Sequence, residues 1–260
     1  MAAAIWSCPA SQMLEFPLSS FVTFCRNHGL LQVTNRPQWR TVRDGGREYV
    51  NRLAAGIGEI HLGQPVESLR PRGGKIELVS GSVSGIYDQV VLASHSDQSR
   101  TILAAHYPAQ ARLLRQMPYQ PNRAVLHSDA SVLPRRRNLW AAWNYQSGHS
   151  ALSERPVAVH YLINRLQPLP TETPVIVSLN PLQELDPSRI HGEFHYSHPV
   201  FTRHAASIQR HIAVGNGRDG IWLAGAWLGY GFHEDGLASA LRVARKLDAA
   251  APWQGLADAA

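Results

Sequence analysis

The stretch Ile221–Leu241, IWLAGAWLGYGFHEDGLASAL, constrains this chain more than any other segment. Four apolar residues, Ile221 to Ala224, suit a short buried strand, and Gly225 ends it. A glycine-rich turn follows, and Gly236 opens an amphipathic run through Leu237, Leu241, Ala244 and Leu247. A strand that passes through a tight turn into a helix aims unpaired backbone N–H groups and the positive helix end at one point. That arrangement suits a phosphate or the electron-rich edge of a bound ring. An ordinary strand–helix turn that needs glycine only for its backbone angles produces the same pattern.

The remaining order is mixed. Pro65–Arg70, Lys75–Val79 and Ile86–Ala93 alternate around Gly73-Gly74 and Gly81–Gly85, which predicts a three-stranded meander. Residues 98–117 carry helical spacing, with Ile102, Leu103, Leu113 and Leu114 as buried positions. Five strand-like runs come next: Ala124–His127, Trp140–Tyr145, Val157–Ile163, Val175–Leu179 and Gly192–Tyr196. Strands in succession without helices between them predict an antiparallel sheet. Residues 202–214 read as a helix leading into the junction. The expected class is α/β mixed with α+β, in two interleaved domains.

Composition excludes several classes. Hydrophobic content of 44% against 17% charged describes a globular chain rather than a disordered one. No apolar run reaches the roughly 18 residues of a membrane span, and the start, MAAAIWSCPA, lacks the basic residues of a signal peptide. Cys8 and Cys25 form no metal motif, and reduced thiols point to a cytoplasmic protein. The net charge of +6 permits anionic partners. The basic residues are nevertheless scattered apart from Arg135-Arg136-Arg137, with no aromatic interleaving, so no nucleic-acid partner is expected.

Several motifs need weighing. A literal G-x-G-x-x-G at Gly215–Gly220 follows a helix and precedes a strand, the reverse of the nucleotide fingerprint, and reads as a loop. His191, Glu193 and His195 share one strand face, with His198 nearby. Residues two apart on a strand lie roughly 6.5–7 Å apart, close enough to converge on a metal, but a polar strand edge gives the same pattern. Asn144 beside Trp143, and Asn164 after Tyr161, place amides next to aromatics, as pocket residues or as capping asparagines. Ser94-His95-Ser96-Asp97 lacks a nucleophile elbow, yet it follows a strand, where open α/β sheets bind ligands. Asp235 suits the cap of the helix that follows.

Together these segments resemble the flavin-dependent amine oxidase and phytoene desaturase superfamily, and among its members a bacterial subgroup described as predicted NAD/FAD-binding proteins. The resemblance runs through Arg36–Val42 with Gly45-Gly46, Tyr87–Gln98, Leu126–Asp129, Pro134–Arg137, Trp143–Tyr145, Asn164–Gln167 and Leu179–Pro181, and is completed by Gly225–Leu237. It implies a partial FAD/NAD(P)-binding Rossmann-like domain interleaved with an antiparallel-sheet substrate domain. Residues 1–40 and 101–205 then fall to the substrate domain, and 41–100 and 206–260 to the FAD-binding domain. By resemblance, Gly45, Gly46, Val66, Gly225, Ala226, Gly236 and Leu237 contact FAD. Trp143, Asn144, Tyr161, Asn164, Trp227, Tyr230 and His233 are the candidate pocket residues.

The resemblance implies hydride transfer from an organic small molecule to the flavin. One departure matters: relatives begin with a strand, the glycine-rich fingerprint and a helix, and this sequence has none of them. The expectation is therefore a C-terminal part of a flavoenzyme, with weak or no FAD binding by itself. Two alternatives stand beside it. One is a non-catalytic subunit whose partner chain supplies the N-terminal half; the other is a metal-dependent enzyme built on His191, Glu193 and His195.

Overall fold

The computed structural model of the chain describes residues 16–35, 38–81, 83–148, 157–202, 204–251 and 253. Among them the helices are α1 (Leu18–Asn27), α2 (Gly46–Ala54), α3 (Ser96–Leu103), α4 (Pro108–Leu114), α5 (Ala205–Gly215) and α6 (His233–Lys246). The strands are β1 (Ser68–Arg72), β2 (Lys75–Ser80), β3 (Val83–Tyr87), β4 (Val90–Leu92), β5 (Tyr119–His127), β6 (Trp143–Ser147), β7 (Val157–Leu162), β8 (Ile176–Leu179), β9 (Ile190–Pro199) and β10 (Ile221–Leu223). The chain divides into two units of two segments each. The first joins residues 1–60 to 120–200, and the second joins 61–119 to 201–260.

The first unit is organised by a five-stranded sheet in the order β6-β7-β8-β5-β9. β6 with β7, β7 with β8, and β8 with β5 pair antiparallel. Each of the five strand-like runs contributes a strand to this sheet, although Trp140–Ala142 precede β6. One core packs Val125, Leu162 and Ile176 against Val132, Leu133 and Leu185, with Trp140 and Ile190 at its margin. α2 is different: it has no buried residue, and Tyr49, Val50 and Leu53 are 43%, 51% and 61% exposed.

The second unit holds two sheets. β1, β2 and β3 form the antiparallel meander. β4 and β10 pair in parallel, with Ile221 opposite Val90 and Leu223 opposite Leu92. The expected third meander strand, Ile86–Ala93, is thus two strands in two sheets. The chain breaks at Asp88-Gln89, where the Asp88 carboxylate meets the Lys75 ammonium at 2.9 Å and the Gln89 amide oxygen accepts from the Trp222 indole at 2.6 Å.

Proline divides the predicted 98–117 helix. Pro108, with no N–H to offer, starts α4 as its first residue. Leu103 and Leu114 are buried as expected, while Ile102 and Leu113 are half-buried. The loop Gly215–Gly220 runs from α5 into β10, as its misplaced fingerprint required. Gly217 has φ +96°, and a Cβ there would lie 2.3 Å from the Trp222 ring. Asn216 clamps the end of β10, accepting from Leu223 N–H at 2.7 Å and donating to the Leu223 carbonyl at 2.9 Å.

A strand–helix junction as candidate cofactor site

β4 and β10 run side by side in parallel, so their carboxyl ends open at the same place. Ala224 N–H donates to the Leu92 carbonyl at 3.0 Å, extending the pairing to the edge of the turn. At that edge Gly225 takes φ +153°, and a Cβ would stand 2.6 Å from the Trp227 indole nitrogen. A side chain is excluded there, which leaves bare backbone facing outward. The Trp227 indole N–H donates to the Ser94 carbonyl at 3.2 Å, tying the turn after β10 to the turn after β4. Trp227 is buried, so it holds the turn rather than lining an open wall.

The helix after the turn begins earlier than the sequence suggested. α6 starts at His233, not Gly236, because the Asp235 carboxylate reaches back to accept from Phe232 N–H at 3.0 Å. Asp235 therefore sits at the third helical position, its side chain capping the N-terminus from inside. Gly236 N–H already donates to the Phe232 carbonyl at 3.2 Å. The N–H groups outside the helical ladder belong to the first turn, His233 and Glu234 before Gly236 and Leu237. What Gly236 provides is closeness: a Cβ on it would lie 3.6 Å from Ala226 N, so the helix packs directly on the turn. Ser239 completes the seam, accepting from Gly225 N–H at 2.8 Å and donating to the Gly236 carbonyl at 2.7 Å. Gln209 reaches in from α5, donating to the Trp227 and Gly229 carbonyls at 3.0 and 2.7 Å.

The named candidates divide between the units. Val66, just before β1, lies in the second unit with Gly225, Ala226, Gly236, Leu237, Trp227, Tyr230 and His233. Gly45 and Gly46 lie in the first unit, where Gly45, at φ +89°, is the N-cap of α2. Trp143, Asn144, Tyr161 and Asn164 also belong to the first unit. Trp143 and Tyr161 face each other across the β6–β7 pair, edge to face at 5.4 Å. Burial raises the Tyr161 pKa, so its phenol stays protonated.

The two asparagines are committed to backbone. Asn144 accepts from Ala141 N–H and donates to the Ala141 and His160 carbonyls. Asn164 donates to the Thr171 and Thr173 carbonyls and accepts from Val175 N–H.

The metal reading does not survive the geometry. Glu193 is held in a bidentate pair by Arg123 at 2.7 and 2.8 Å, and His191 contacts Ser128 Oγ at 3.2 Å. Among the described residues no three His, Cys, Asp or Glu side chains are placed to share an ion. Nor does Ser94 meet a histidine: its hydroxyl pairs with Ser99 at 2.9 Å, and His95 stacks on Tyr119.

The sequence reading missed a buried polar chain across four strands of the five-stranded sheet. His127, His160 and Ser178 have no exposed surface. Asp129 N–H donates to His127 Nδ1 at 3.1 Å, which makes that nitrogen an acceptor and puts the proton on Nε2. His127 Nε2–H then donates to Ser178 Oγ at 2.7 Å, and the serine hydroxyl donates to His160 Nδ1 at 2.7 Å. His160 Nε2–H ends the series on Gln146 Oε1 at 3.0 Å. Every donor finds an acceptor with both rings neutral. Burial lowers the pKa of both, that of His160 to about 4, with His127 adding to the effect. The signal for His160 was present: it shares the inward parity of Ala158 and Leu162 on β7.

A family model described as flavin containing amine oxidoreductase matches residues 7–144, more than half of the chain. The chain belongs to that family. FAD is the family's cofactor. The matched stretch ends before the Gly225 junction, so the junction adds evidence of its own.

Solved structures agree on the fold. A protein from Exiguobacterium sp. 255-15 assigned as a protoporphyrinogen oxidase superposes with a TM-score of 0.56 at 14% identity, over 88% of this chain and 58% of that one. A conjugated-linoleic-acid-producing fatty acid isomerase from P. acnes gives 0.56 at 12% identity, over 78% and 52%. Cyclohexylamine oxidase from Brevibacterium oxydans IH-35A gives 0.52 at 12% identity, over 92% and 62%. The chain thus spans just over half the length of these structures. No curated protein matches its sequence. No helix among the described residues is long and apolar enough to cross a membrane.

Proposed function

We propose that this chain is the junction-bearing part of an FAD-dependent oxidoreductase that removes a hydride from an organic small molecule. The observation that carries the reading is the parallel β4–β10 pair whose carboxyl ends meet at Gly225. Ligands of open α/β sheets bind outside those ends. Gly225 excludes a side chain where a dinucleotide must approach backbone, and α6 presents its positive end across the same turn. These features fit FAD. Gly225, Ala226 and the first turn of α6 would hold it, and Trp227 and Ser239 would fix their positions. When bound, FAD supplies a two-electron acceptor, and the chain supplies position and electrostatics.

A further polypeptide segment completes the site in this reading, either from the same protein or from a partner chain. Three features support that. The G-x-G-x-x-G of this sequence, Gly215–Gly220, runs from α5 into β10 rather than from a strand into a helix. Parallel sheets are normally covered on both faces, yet Val91 of β4 is 45% exposed while its neighbour Trp222 on β10 is buried. The apolar stripe of α2 is likewise uncovered.

The test is an FAD titration of the purified chain, followed by flavin absorbance and fluorescence, alone and with the preceding coding region restored. Tight binding only in the second case establishes the shared site. Tight, stoichiometric binding by the chain alone refutes the need for a second segment. No binding in either case refutes the flavin reading.

A further inference from the structure

We propose that the cleft between α5 and α6 binds a small molecule bearing a di- or triphosphate group. The proposal stands on these two helices and is independent of the flavin reading. The cleft has a cavity volume of about 350 Å³. Arg210 enters from α5, and Arg242 and Lys246 enter from α6, with Ile212 and Leu228 as the apolar wall. Arg242 and Lys246 are four residues apart on one helix face, where like charges repel. Arg210 adds a third positive charge from across the cleft.

No carboxylate answers them. None of the three takes part in an ion pair among the described residues. Of the acids on or beside these helices, Asp219 accepts from the Gln110 amide at 3.3 Å and Asp235 from Phe232 N–H at 3.0 Å. Glu234 lies at the opposite end of α6 from Lys246, roughly 18 Å along the axis at 1.5 Å per residue. Asp248 follows the helix and, among the described residues, forms no ion pair. Lys246 is also positioned rather than loose. Its Nζ lies 3.5 Å from the Ala213 carbonyl and 5.9 Å from the Trp222 ring centre.

Three cations without a carboxylate partner along one half-open cleft favour a compact ligand with several negative charges. Guanidinium forks match phosphate oxygens in pairs, and the ammonium adds a point charge. The cavity has the size of a small-molecule site and has an apolar wall for the rest of the ligand. A nucleic-acid strand would need a longer basic track with stacking aromatics, which this cleft lacks.

The test is calorimetric titration of the chain with inorganic orthophosphate, pyrophosphate and triphosphate at about 0.15 M salt, with tryptophan emission read in parallel. The expected result is saturable one-site binding, tighter for triphosphate than for orthophosphate. Emission should shift on binding through the Lys246–Trp222 contact, and Trp222→Phe should abolish that shift. Arg210→Gln, Arg242→Gln and Lys246→Gln should each weaken binding by about tenfold, the scale of one charged hydrogen bond, with helical circular dichroism unchanged. Arg245→Gln, on α6 but outside the cleft lining, should leave it intact. Absence of saturable binding, or equal affinity in all three cation variants, overturns the proposal. So does an equal loss in Arg245→Gln, because binding would then follow the charge of the helix rather than the cleft.

Discussion

His127 and His160 share a single hydroxyl: Ser178 Oγ stands 2.7 Å from a nitrogen of each ring, with all three residues sealed from solvent. The relationship links β5, β8 and β7 and sets a direction of donation from Asp129 N–H to Gln146. Inside the sheet such a series is stable only while complete, because a partly satisfied polar chain is worse than an apolar one.

Acid should therefore loosen the protein. In the unfolded chain an imidazole protonates near 6.5, whereas folded His160 does so at about 4. Between those values the unfolded state binds more protons, so stability rises with pH. The contribution is complete above about pH 6.5 and is lost as pH falls toward 4; at 1.36 kcal/mol per unit it reaches about 3 kcal/mol. Urea midpoints at pH 7.5 and 5.0 check this. His160→Gln should flatten most of the slope, and a wild-type profile already flat across that range would contradict the assignment.

Removing the shared hydroxyl should cost more than removing an ordinary serine. Ser178→Ala leaves His127 Nε2–H without its acceptor and His160 Nδ1 without its donor. Two buried groups lose partners, so destabilisation of about 2–4 kcal/mol is expected from roughly 1–2 kcal/mol each. Urea unfolding at pH 7.5 measures it, and a loss under about 0.5 kcal/mol would mean that the chain carries no weight.

The clamp on β10 gives an independent test in the second unit. Asn216→Leu keeps the side-chain bulk but removes both bonds to Leu223. A loss of about 1–3 kcal/mol follows from two buried backbone groups losing partners. Amide exchange at Leu223 should accelerate beyond that of Ile221. Uniform acceleration across the protein would instead indicate general destabilisation.

Much of this architecture was legible from local pattern. Alternation exposed the five strands of the large sheet, and Pro or Gly punctuation separated most of them. What stayed hidden depends on pairing across distance. Ile86–Ala93 looked like one strand because apolar periodicity cannot tell which sheet a residue joins. Only the parallel partner β10, some 130 residues later, separates Val90–Leu92 from the meander. The basic residues looked scattered for the same reason, since Arg210 meets Arg242 and Lys246 only through the packing of α5 beside α6. The helix start at His233 was obscured by Gly236. A glycine there marks close approach to Ala226, not the helix boundary.

Gly225 is where fold and proposed function can be separated by one substitution. Gly225→Ala puts a methyl group against the Trp227 indole, 2.6 Å from its nitrogen, at a backbone angle that L residues rarely adopt. Trp227 must move, and its bond to the Ser94 carbonyl is the first to break. The strain should lower stability by about 1–3 kcal/mol and alter the near-ultraviolet circular dichroism of tryptophan. The large sheet of the first unit should keep its far-ultraviolet signal. If the junction receives FAD, the complete protein carrying this change should lose flavin affinity well beyond its loss of stability, measured below the unfolding transition. Val83→Thr, at the exposed start of β3 in the meander, serves as a surface control. Equal flavin affinity in wild type and Gly225→Ala would remove the junction from the cofactor site, whatever the effect on folding.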